Sequence, residues 1–266
     1  MHARSQRQAL CFGIAAGAMA VATQASAVGR FGTYCQQDFQ NGWEATVDQA
    51  WTTCNWFNDE LNDTDTQVFY YDLHGKNYYL ERLGDHQPNN DSADDVDLLF
   101  MYTHGSAWLS NTAEYSMWDQ YTNAYTNSMR LGDSAWWGGG LAILATYSCH
   151  TLQIDDYIVN RWLPPTSGGL KVVLGSHNFV YSSSTTNEVG EDFADNLQHQ
   201  WAITSAWFDG LSDWWVDQDI AVLLTGTDGN NCWSRYYGMT WQNFGYYPFL
   251  RDSQIGFMCL NWVDDA

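Results

Sequence analysis

Residues 97–106 read Asp-Leu-Leu-Phe-Met-Tyr-Thr-His-Gly-Ser, an apolar run that ends abruptly in a polar stretch. An uninterrupted apolar run of this length predicts a strand that is buried on both faces of a sheet. The pattern recurs at residues 141–150, where Leu-Ala-Ile-Leu-Ala is followed by Thr-Tyr-Ser-Cys-His. These two strands decide the interpretation of the chain, because each ends in residues that support acid–base or thiol chemistry.

Three further runs have strand character, at residues 67–71, 170–174 and 220–224. Apolar residues at steps of three and four predict helices over residues 43–61 and 190–208. Strands that alternate with helices, and that are apolar throughout, are typical of a parallel sheet covered on both faces. The sequence therefore predicts an α/β fold, a three-layer α/β/α sandwich with a mainly parallel sheet.

Other stretches are less regular. Residues 152–162 predict a short helix that ends before the prolines at 164–165, and residues 107–137 predict a helix with loops. We expect the α/β domain to span residues 28–227. Residues 228–266 are rich in Trp, Tyr and Gly and predict a small disulfide-tied C-terminal cap packed on the same domain.

Residues 1–27 have the pattern of a secretory signal peptide. Arg4 and Arg7 give the positive start, residues 9–23 the apolar stretch, and residues 25–27 a small-residue cleavage site. No later stretch is long and apolar enough to span a bilayer. We therefore expect a bacterial protein that is secreted or periplasmic and has no membrane span after cleavage.

The charge balance excludes one class of partner. The 266 residues include 31 Asp and Glu but 10 Lys and Arg, which gives a formal charge of −21. Lys76 and Lys171 are the two lysines of the chain. Because phosphate backbones are bound by clustered Lys and Arg, we expect no nucleic-acid partner.

Five cysteines remain after removal of the predicted signal peptide. Export favours disulfides, and an odd number leaves at least one thiol unpaired. The economical pairing joins neighbours in sequence, Cys35 with Cys54 and Cys232 with Cys259, although the sequence alone does not fix the connectivity. Cys149 is then the free thiol.

The carboxyl ends of the strands are where open α/β sheets form their sites. Here those ends carry His104 and Cys149. An imidazole beside a thiol assists thiolate formation and later protonates the leaving group. The backbone N–H groups of Gly105 and Cys149 are candidates for an oxyanion site, because glycine permits close backbone approach.

These residues carry a family resemblance. An apolar strand ending in His-Gly, followed by one ending in Ser-Cys, resembles the caspase–legumain–gingipain clan of cysteine peptidases. Residues 102–105 are similar to the Tyr-Ser-Gly-His-Gly block of metacaspases, one residue shorter, and residues 148–150 to their Cys-His block. Over most of residues 30–226 the chain is most similar to an uncharacterised family of secreted bacterial caspase-like domains of unknown function.

The resemblance implies a caspase-like fold with Cys149 as nucleophile, His104 as general base or acid, and Gly105 in the oxyanion loop. Two departures limit what it implies about specificity. Tyr147 stands where metacaspases carry an Asp that receives basic side chains, and Thr-Leu at 151–152 replaces their Ser-Gly. Cleavage after Arg or Lys is therefore not carried over.

Four residues at strand ends are candidates for a substrate pocket: Asp72, Tyr147, Ser176 and His177. Asp72 would supply an acid to it. The remaining histidine of this region, His150, is expected to be structural or to line the pocket.

Metal binding is an alternative use of the same region. A mixed set of His and Cys ligands is suited to zinc or copper. The set here is His104, Cys149, His150 and His177. None of its spacings is that of a zinc finger or of His-Glu-x-x-His, so we predict no such metal site. The acidic clusters at 62–65 and 91–97 offer oxygen ligands for Ca²⁺, without the pattern of an EF-hand, and no organic cofactor is expected.

The sequence thus predicts a secreted endopeptidase-like hydrolase with a Cys-His dyad, which acts on a peptide or protein substrate through an acyl-thioester. The alternative is a noncatalytic exported protein that binds peptides or glycans on the same fold. Fifteen Trp residues support it, including the pairs at 136–137 and 214–215, because exposed indoles stack on sugars and apolar side chains.

Overall fold

The computed structural model describes residues 29–36, 49–63, 66–73, 96–109, 112–119, 124–130, 140–181, 186–212 and 218–264. Its main feature is a seven-stranded, mainly parallel sheet with helices on both faces. This confirms the predicted α/β class. The signal peptide predicted at residues 1–27 lies outside the described residues and stays a prediction.

The strands are β1 (Arg30–Gln36), β2 (Thr66–Leu73), β3 (Leu98–Tyr102), β4 (Gly105–Leu109), β5 (Thr112–Asp119), β6 (Ala124–Arg130), β7 (Ile143–Tyr147), β8 (Val172–Ser176), β9 (Ile220–Gly226) and β10 (Phe257–Val263). The order in the main sheet is β10-β9-β8-β7-β3-β1-β2. The strands from β2 to β8 are parallel to their neighbours. Strand β9 is antiparallel to β8, and β10 is antiparallel to β9.

The helices are α1 (Ala50–Asn62), α2 (Ile158–Gly168), α3 (Val189–Gln198), α4 (Ile203–Gly210) and α5 (Gly229–Gly238). One face of the sheet packs against α1, α3, α4 and α5. Phe57 of α1 stacks on Phe100 of β3 with ring centroids 4.6 Å apart, and within the helix layer Phe193 of α3 meets Trp207 of α4 edge-to-face with centroids 5.0 Å apart. On the other face Trp162 of α2 is fully buried, which completes the three layers.

The apolar runs predict the central strands well. Every residue of β3, β7, β8 and β9 is buried, as expected for strands covered on both faces. The sequence did not predict strand β1, which lies inside the sheet between β3 and β2. Its residues include polar Thr33, whose Oγ1 accepts a hydrogen bond from Asn58 Nδ2 at 3.1 Å, so the run is not continuously apolar.

The sheet is mainly parallel, as predicted, and β9 is one of its two antiparallel strands. Val172 of β8 pairs with Leu224, and Ser176 pairs with Ile220, so β9 runs antiparallel to β8. An apolar run reports burial but not direction. As a result, the residues just before β9 lie at the carboxyl edge of the parallel strands.

The prediction that Pro164 and Pro165 end a helix is wrong, since both lie inside α2. Each proline lacks the N–H that would bond the carbonyl four residues back. A side-chain hydroxyl supplies another bond in this turn, because Thr166 Oγ1 donates to the Trp162 carbonyl at 2.7 Å. The helix ends instead at Gly168, and the next residue, Gly169, has a φ of 146°, which glycine adopts without strain.

The prediction of a helix with loops over residues 107–137 is also wrong. The described part of this region forms a three-stranded antiparallel sheet in the order β4-β5-β6. Alternation of polar and apolar residues over 114–117, Glu-Tyr-Ser-Met, is the strand signal that the sequence contained.

Residues 228–264, for which a C-terminal cap is predicted, contain α5, two short 3₁₀ turns (Phe244–Tyr246 and Asp252–Gln254) and β10, which is the edge strand of the main sheet. The division into an α/β domain and a cap stays a prediction. Both predicted disulfides are present, Cys35–Cys54 between β1 and α1, and Cys232–Cys259 between α5 and β10. Disulfides persist in oxidising compartments, so they indicate an extracellular or periplasmic environment. Within the described residues, no helix has the length and apolar character needed to cross a membrane.

Candidate active site

The ends of β3 and β7 bring the two predicted catalytic residues to one edge of the sheet. The strands are parallel neighbours, and Tyr102 lies opposite Tyr147 in their register. His104 and Cys149 each follow two residues after these partners, and both are partly exposed. The backbone therefore places them at equivalent positions beyond adjacent strands. Whether they act as a catalytic dyad stays a prediction.

Gly105 packs closely against the turn that follows β7. A Cβ atom built on Gly105 would overlap the carbonyl oxygen of Cys149 and lie 3.0 Å from the Cβ of Ser148. Only a residue without a side chain fits here without displacing the turn after β7. The glycine that follows His104 is thus packed directly on the cysteine turn.

The thiol of Cys149 faces the segment after β8. Its Sγ lies 3.7 Å from the Val180 carbonyl oxygen, and the Val180 N–H donates to Sγ at an N–S distance of 3.5 Å. Burial raises the pKa of the Cys149 thiol, and the hydrogen bond from Val180 N–H opposes this only in part. Burial therefore favours the protonated thiol in the resting protein.

A buried hydrogen-bond network holds the segment 177–181 in place. The Tyr147 hydroxyl donates to the Tyr181 carbonyl at 2.6 Å, and Gln218 Nε2 donates to the Tyr147 hydroxyl at 2.8 Å. The Tyr181 N–H in turn donates to Gln218 Oε1 at 3.1 Å. Because Gln218 and Tyr147 are buried, this network fixes the main chain that contacts the thiol.

The cysteine turn is bonded to the same segment on its other side. The His150 N–H donates to the Asn178 carbonyl at 2.6 Å, and the His150 ring packs against Phe179 with centroids 4.7 Å apart. Burial lowers the pKa of His150, while Asp219 acts in the opposite direction. His150 also has a φ of 56°, so the chain turns sharply directly after Cys149.

The four predicted pocket residues lie in different surroundings. Tyr147 and Ser176 are fully buried, and the Ser176 hydroxyl donates to the Ser148 carbonyl at 2.7 Å. Asp72 lies on the outer strand β2, where it pairs in register with Cys35 of β1. The side chain of Asp72 lies outside the described part of the structure. His177 contacts residues near the C-terminus, as described below. A substrate pocket formed by these residues stays a prediction.

Of the two acidic clusters proposed for Ca²⁺, residues 64–65 and 91–95 lie outside the described residues. Asp97 has a structural contact, since its carboxylate accepts a hydrogen bond from the Arg30 N–H at 2.9 Å. Burial raises the pKa of Asp97 despite this bond. Within the described residues, the potential metal ligands that lie close together are His177, Asp219 and Asp264. They are not the mixed His and Cys set considered from the sequence.

The sequence did not identify Val180 or Gln218 as residues of the site. Val180 contributes through its main chain, which no side-chain pattern reveals. Gln218 precedes β9, and a parallel β9 would have placed it at the opposite edge of the sheet. The antiparallel direction of β9 brings it beside Tyr147.

Among solved structures, the X-ray structure of an inactive zymogen of a C11 protease from Parabacteroides distasonis is similar to this chain, with 12% sequence identity and a TM-score of 0.43. The match covers 76% of this chain and 63% of that chain, so this chain spans less than two thirds of the protease. Curated proteins give no significant match. The profile of DUF6345, a domain of unknown function, matches residues 35–262. The chain therefore belongs to the DUF6345 family.

Proposed function

We propose that the chain is a secreted cysteine endopeptidase-like hydrolase that cleaves a peptide or protein substrate at Cys149 with help from His104. One observation carries the proposal: Gly105, the residue after His104, packs directly on the main-chain carbonyl of Cys149, the residue that carries the free thiol. The resemblance of the His-Gly and Ser-Cys blocks to the caspase–legumain–gingipain clan supports the same roles.

The proposed reaction has two steps. The His104 imidazole accepts the thiol proton as sulfur attacks the peptide carbonyl carbon, and the carbonyl electron pair moves onto oxygen. The C–N bond then breaks, the imidazolium gives its proton to the departing amine, and a thioester remains. Water, deprotonated by the imidazole, hydrolyses the thioester to a carboxylic acid and restores the thiol. In this proposal the N–H groups of Gly105 and Cys149 stabilise the oxyanion.

The surroundings of the Cys149 thiol determine when its proton moves to His104 in the proposed reaction. Because burial raises the pKa of Cys149, little thiolate is present before the substrate binds. Proton transfer to His104 therefore accompanies the attack and does not precede it as a stable ion pair. We propose that a substrate main chain displaces the Val180 main chain from sulfur, since both present an N–H and a carbonyl group.

Secretion is part of the proposal. Residues 1–27 have the signal-peptide pattern, and the two disulfides are typical of proteins outside the cytoplasm. The free Cys149 is then the thiol that an oxidising compartment leaves available for chemistry.

The test is cleavage of a peptide library by the mature protein with its disulfides intact, with products identified by mass spectrometry. We expect Cys149→Ala to lose at least about 1,000-fold in rate and His104→Ala to lose a comparable factor. His199→Ala is the matched control, because this exposed histidine lies at the end of α3 and should leave cleavage unchanged. Cleavage that persists in Cys149→Ala, or absence of cleavage by the wild type, would reject the proposal.

A second candidate function is noncatalytic binding of a peptide or glycan, which one observation favours. Trp233 and Tyr237 of α5 are exposed and stack with ring centroids 6.1 Å apart. Exposed stacked rings are suited to sugar faces and apolar side chains. Under this function Trp233→Ala weakens binding to a glycan or peptide array, and Cys149→Ala leaves it intact. The Trp pairs at 136–137 and 214–215 lie outside the described residues.

A further inference from the structure

The ends of β8 and β10 and the start of β9 bring an imidazole and two carboxylates together. Ser176, Ile220 and Val263 lie in one row across β8, β9 and β10, because Ile220 pairs with both of the others. The adjoining residues of the three strands are His177, Asp219 and Asp264. The sheet register therefore places these three residues side by side at the carboxyl edge.

The distances between their side chains fit a shared cation. His177 Nε2 lies 2.9 Å from Asp264 Oδ1 and 3.8 Å from Asp219 Oδ1, and all three candidate ligand atoms lie within 4.8 Å of one another. Ligands bonded to Zn²⁺ at about 2.1 Å in a tetrahedral site lie about 3.4 Å apart. The two distances from Nε2 fall on either side of this value. The Val263 carbonyl oxygen lies 3.3 Å from His177 Nε2 and is a further candidate ligand for a metal ion.

Two of the three residues are held in position by the fold. The His177 N–H donates to the Asp219 carbonyl at 2.9 Å, and the Asp219 N–H donates to the Phe179 carbonyl at 3.4 Å. The His177 side chain is 12% exposed and that of Asp219 is 20% exposed, whereas that of Asp264 is 65% exposed. Two ligands are thus largely desolvated and preorganised, and the third leaves an entry path for an ion.

We propose that His177, Asp219 and Asp264 form a binding site for a first-row divalent metal ion of the Zn²⁺ class. An imidazole nitrogen with two carboxylate oxygens is a donor set for such ions, whereas Ca²⁺ takes oxygen ligands alone. The formal charge of −21 on the chain further favours a cation. The proposal does not depend on the peptidase function.

A metal ion at this position joins the end of β10 to the segment 177–181. That segment also carries Val180, whose main chain contacts the Cys149 thiol. The ion would therefore fasten the C-terminal strand to the region around the thiol and stabilise the folded protein by mass action.

The test is calorimetric titration of the tag-free mature protein with Zn²⁺, in a Cys149→Ser background that removes the free thiol as a competing ligand. We expect one equivalent to bind, and His177→Ala to weaken binding at least tenfold, since even outer-shell changes at metal sites cost about 10–100-fold. Asp264→Ala, at an exposed position beyond β10, is a second variant that does not require a change in the core.

The matched control is His199→Ala. His199 Nδ1 lies 3.2 Å from Asp195 Oδ1, which gives an exposed imidazole–carboxylate pair without the third ligand in the described residues. This variant should bind Zn²⁺ as the background protein does. Absence of Zn²⁺ binding by the background protein, or binding by His177→Ala and Asp264→Ala as tight as that of the background protein, would overturn the proposal. Neither result depends on whether the protein cleaves peptides.

Discussion

The Cys149 thiol lies against the main chain of Val180, with Sγ 3.5 Å from the Val180 nitrogen and 3.7 Å from its carbonyl oxygen. The contact joins the end of β7 to the segment that follows β8. It shields the sulfur from water, which disfavours the thiolate, and it also supplies one N–H that favours the thiolate. Burial has the larger effect, so the reactivity of the resting protein should differ from that of its complex with a substrate.

The first prediction concerns the pH dependence of alkylation. Because burial raises the pKa of Cys149, modification by iodoacetamide should be slow at neutral pH, with a midpoint above the ordinary value for cysteine. Val180→Pro removes the N–H that donates to sulfur and should raise the midpoint further. Peptide mapping of nonreduced protein gives the rates at Cys149. The urea-unfolded protein is the control, and a folded-state midpoint below the unfolded one would contradict the prediction.

The second prediction concerns the contact between Gly105 and Cys149. A methyl group at Gly105 would overlap the Cys149 carbonyl, so Gly105→Ala should lower the free energy of unfolding by about 1–3 kcal/mol. Gly245→Ala is the matched control, because no atom lies within 4 Å of a Cβ built there. Urea unfolding measures both variants. Equal stabilities of Gly105→Ala and Gly245→Ala would show that the two strand ends do not pack as described.

The third prediction concerns the network around Gln218. Gln218→Leu removes the donor to the Tyr147 hydroxyl and the acceptor of the Tyr181 N–H, and should cost about 1–3 kcal/mol of unfolding free energy. Tyr147→Phe removes the same hydroxyl from the network, so the two changes should not be additive. A double-mutant cycle by urea unfolding should give a coupling of about 0.5–3 kcal/mol. Strict additivity would mean that the network does not act as a unit.

The same two variants should also accelerate alkylation of Cys149. Loss of the network loosens the segment that carries Val180 and admits solvent to the thiol. Peptide mapping after iodoacetamide treatment detects the change. Unchanged rates would show that the segment 177–181 keeps its position without Gln218.

The fourth prediction concerns pH and stability. Partial desolvation raises the pKa of Asp192 on α3 to about 6, and nearby carboxylates add to the effect. These carboxylates are Glu188, Glu191, Asp209 and Asp195. The folded protein therefore keeps a proton that the unfolded chain has already released, so stability falls as pH rises from about 4 to about 6.

Asp192→Asn removes this penalty. The variant should be more stable than the wild type above about pH 6 and should match it below about pH 4. Thermal unfolding at the two extremes measures the difference, with Asp252→Asn, an exposed carboxylate in a 3₁₀ turn, as control. A gain in Tm that is the same at both extremes would contradict the raised pKa.

Burial explains which parts of the fold were predictable from the sequence. The four continuous apolar runs became the buried strands β3, β7, β8 and β9, because few other structures accommodate such runs. The strands β4 to β6 have mixed polar and apolar residues, and their alternation is clear only over residues 114–117. The direction of β9 depends on tertiary packing and was not predictable from its own residues.

The candidate site was predictable only where side chains carry the chemistry. His104 and Cys149 stand out because each follows a buried strand, and the register of β3 and β7 brings both to one edge. Val180 acts through its backbone, and Asp219 reaches this edge because β9 is antiparallel. These contributions come from topology and have no counterpart in local sequence pattern.

The most direct measurement is covalent labelling of the mature protein by a panel of peptidyl acyloxymethyl ketones, followed by peptide mapping. A working thiol peptidase binds such probes as substrates, after which the cysteine sulfur displaces the carboxylate leaving group. We predict one adduct, on Cys149, that forms faster than its carbamidomethyl derivative with iodoacetamide and that is strongly slowed in His104→Ala. An absence of adduct, or equal labelling of the wild type and His104→Ala, would contradict a catalytic role for these two residues.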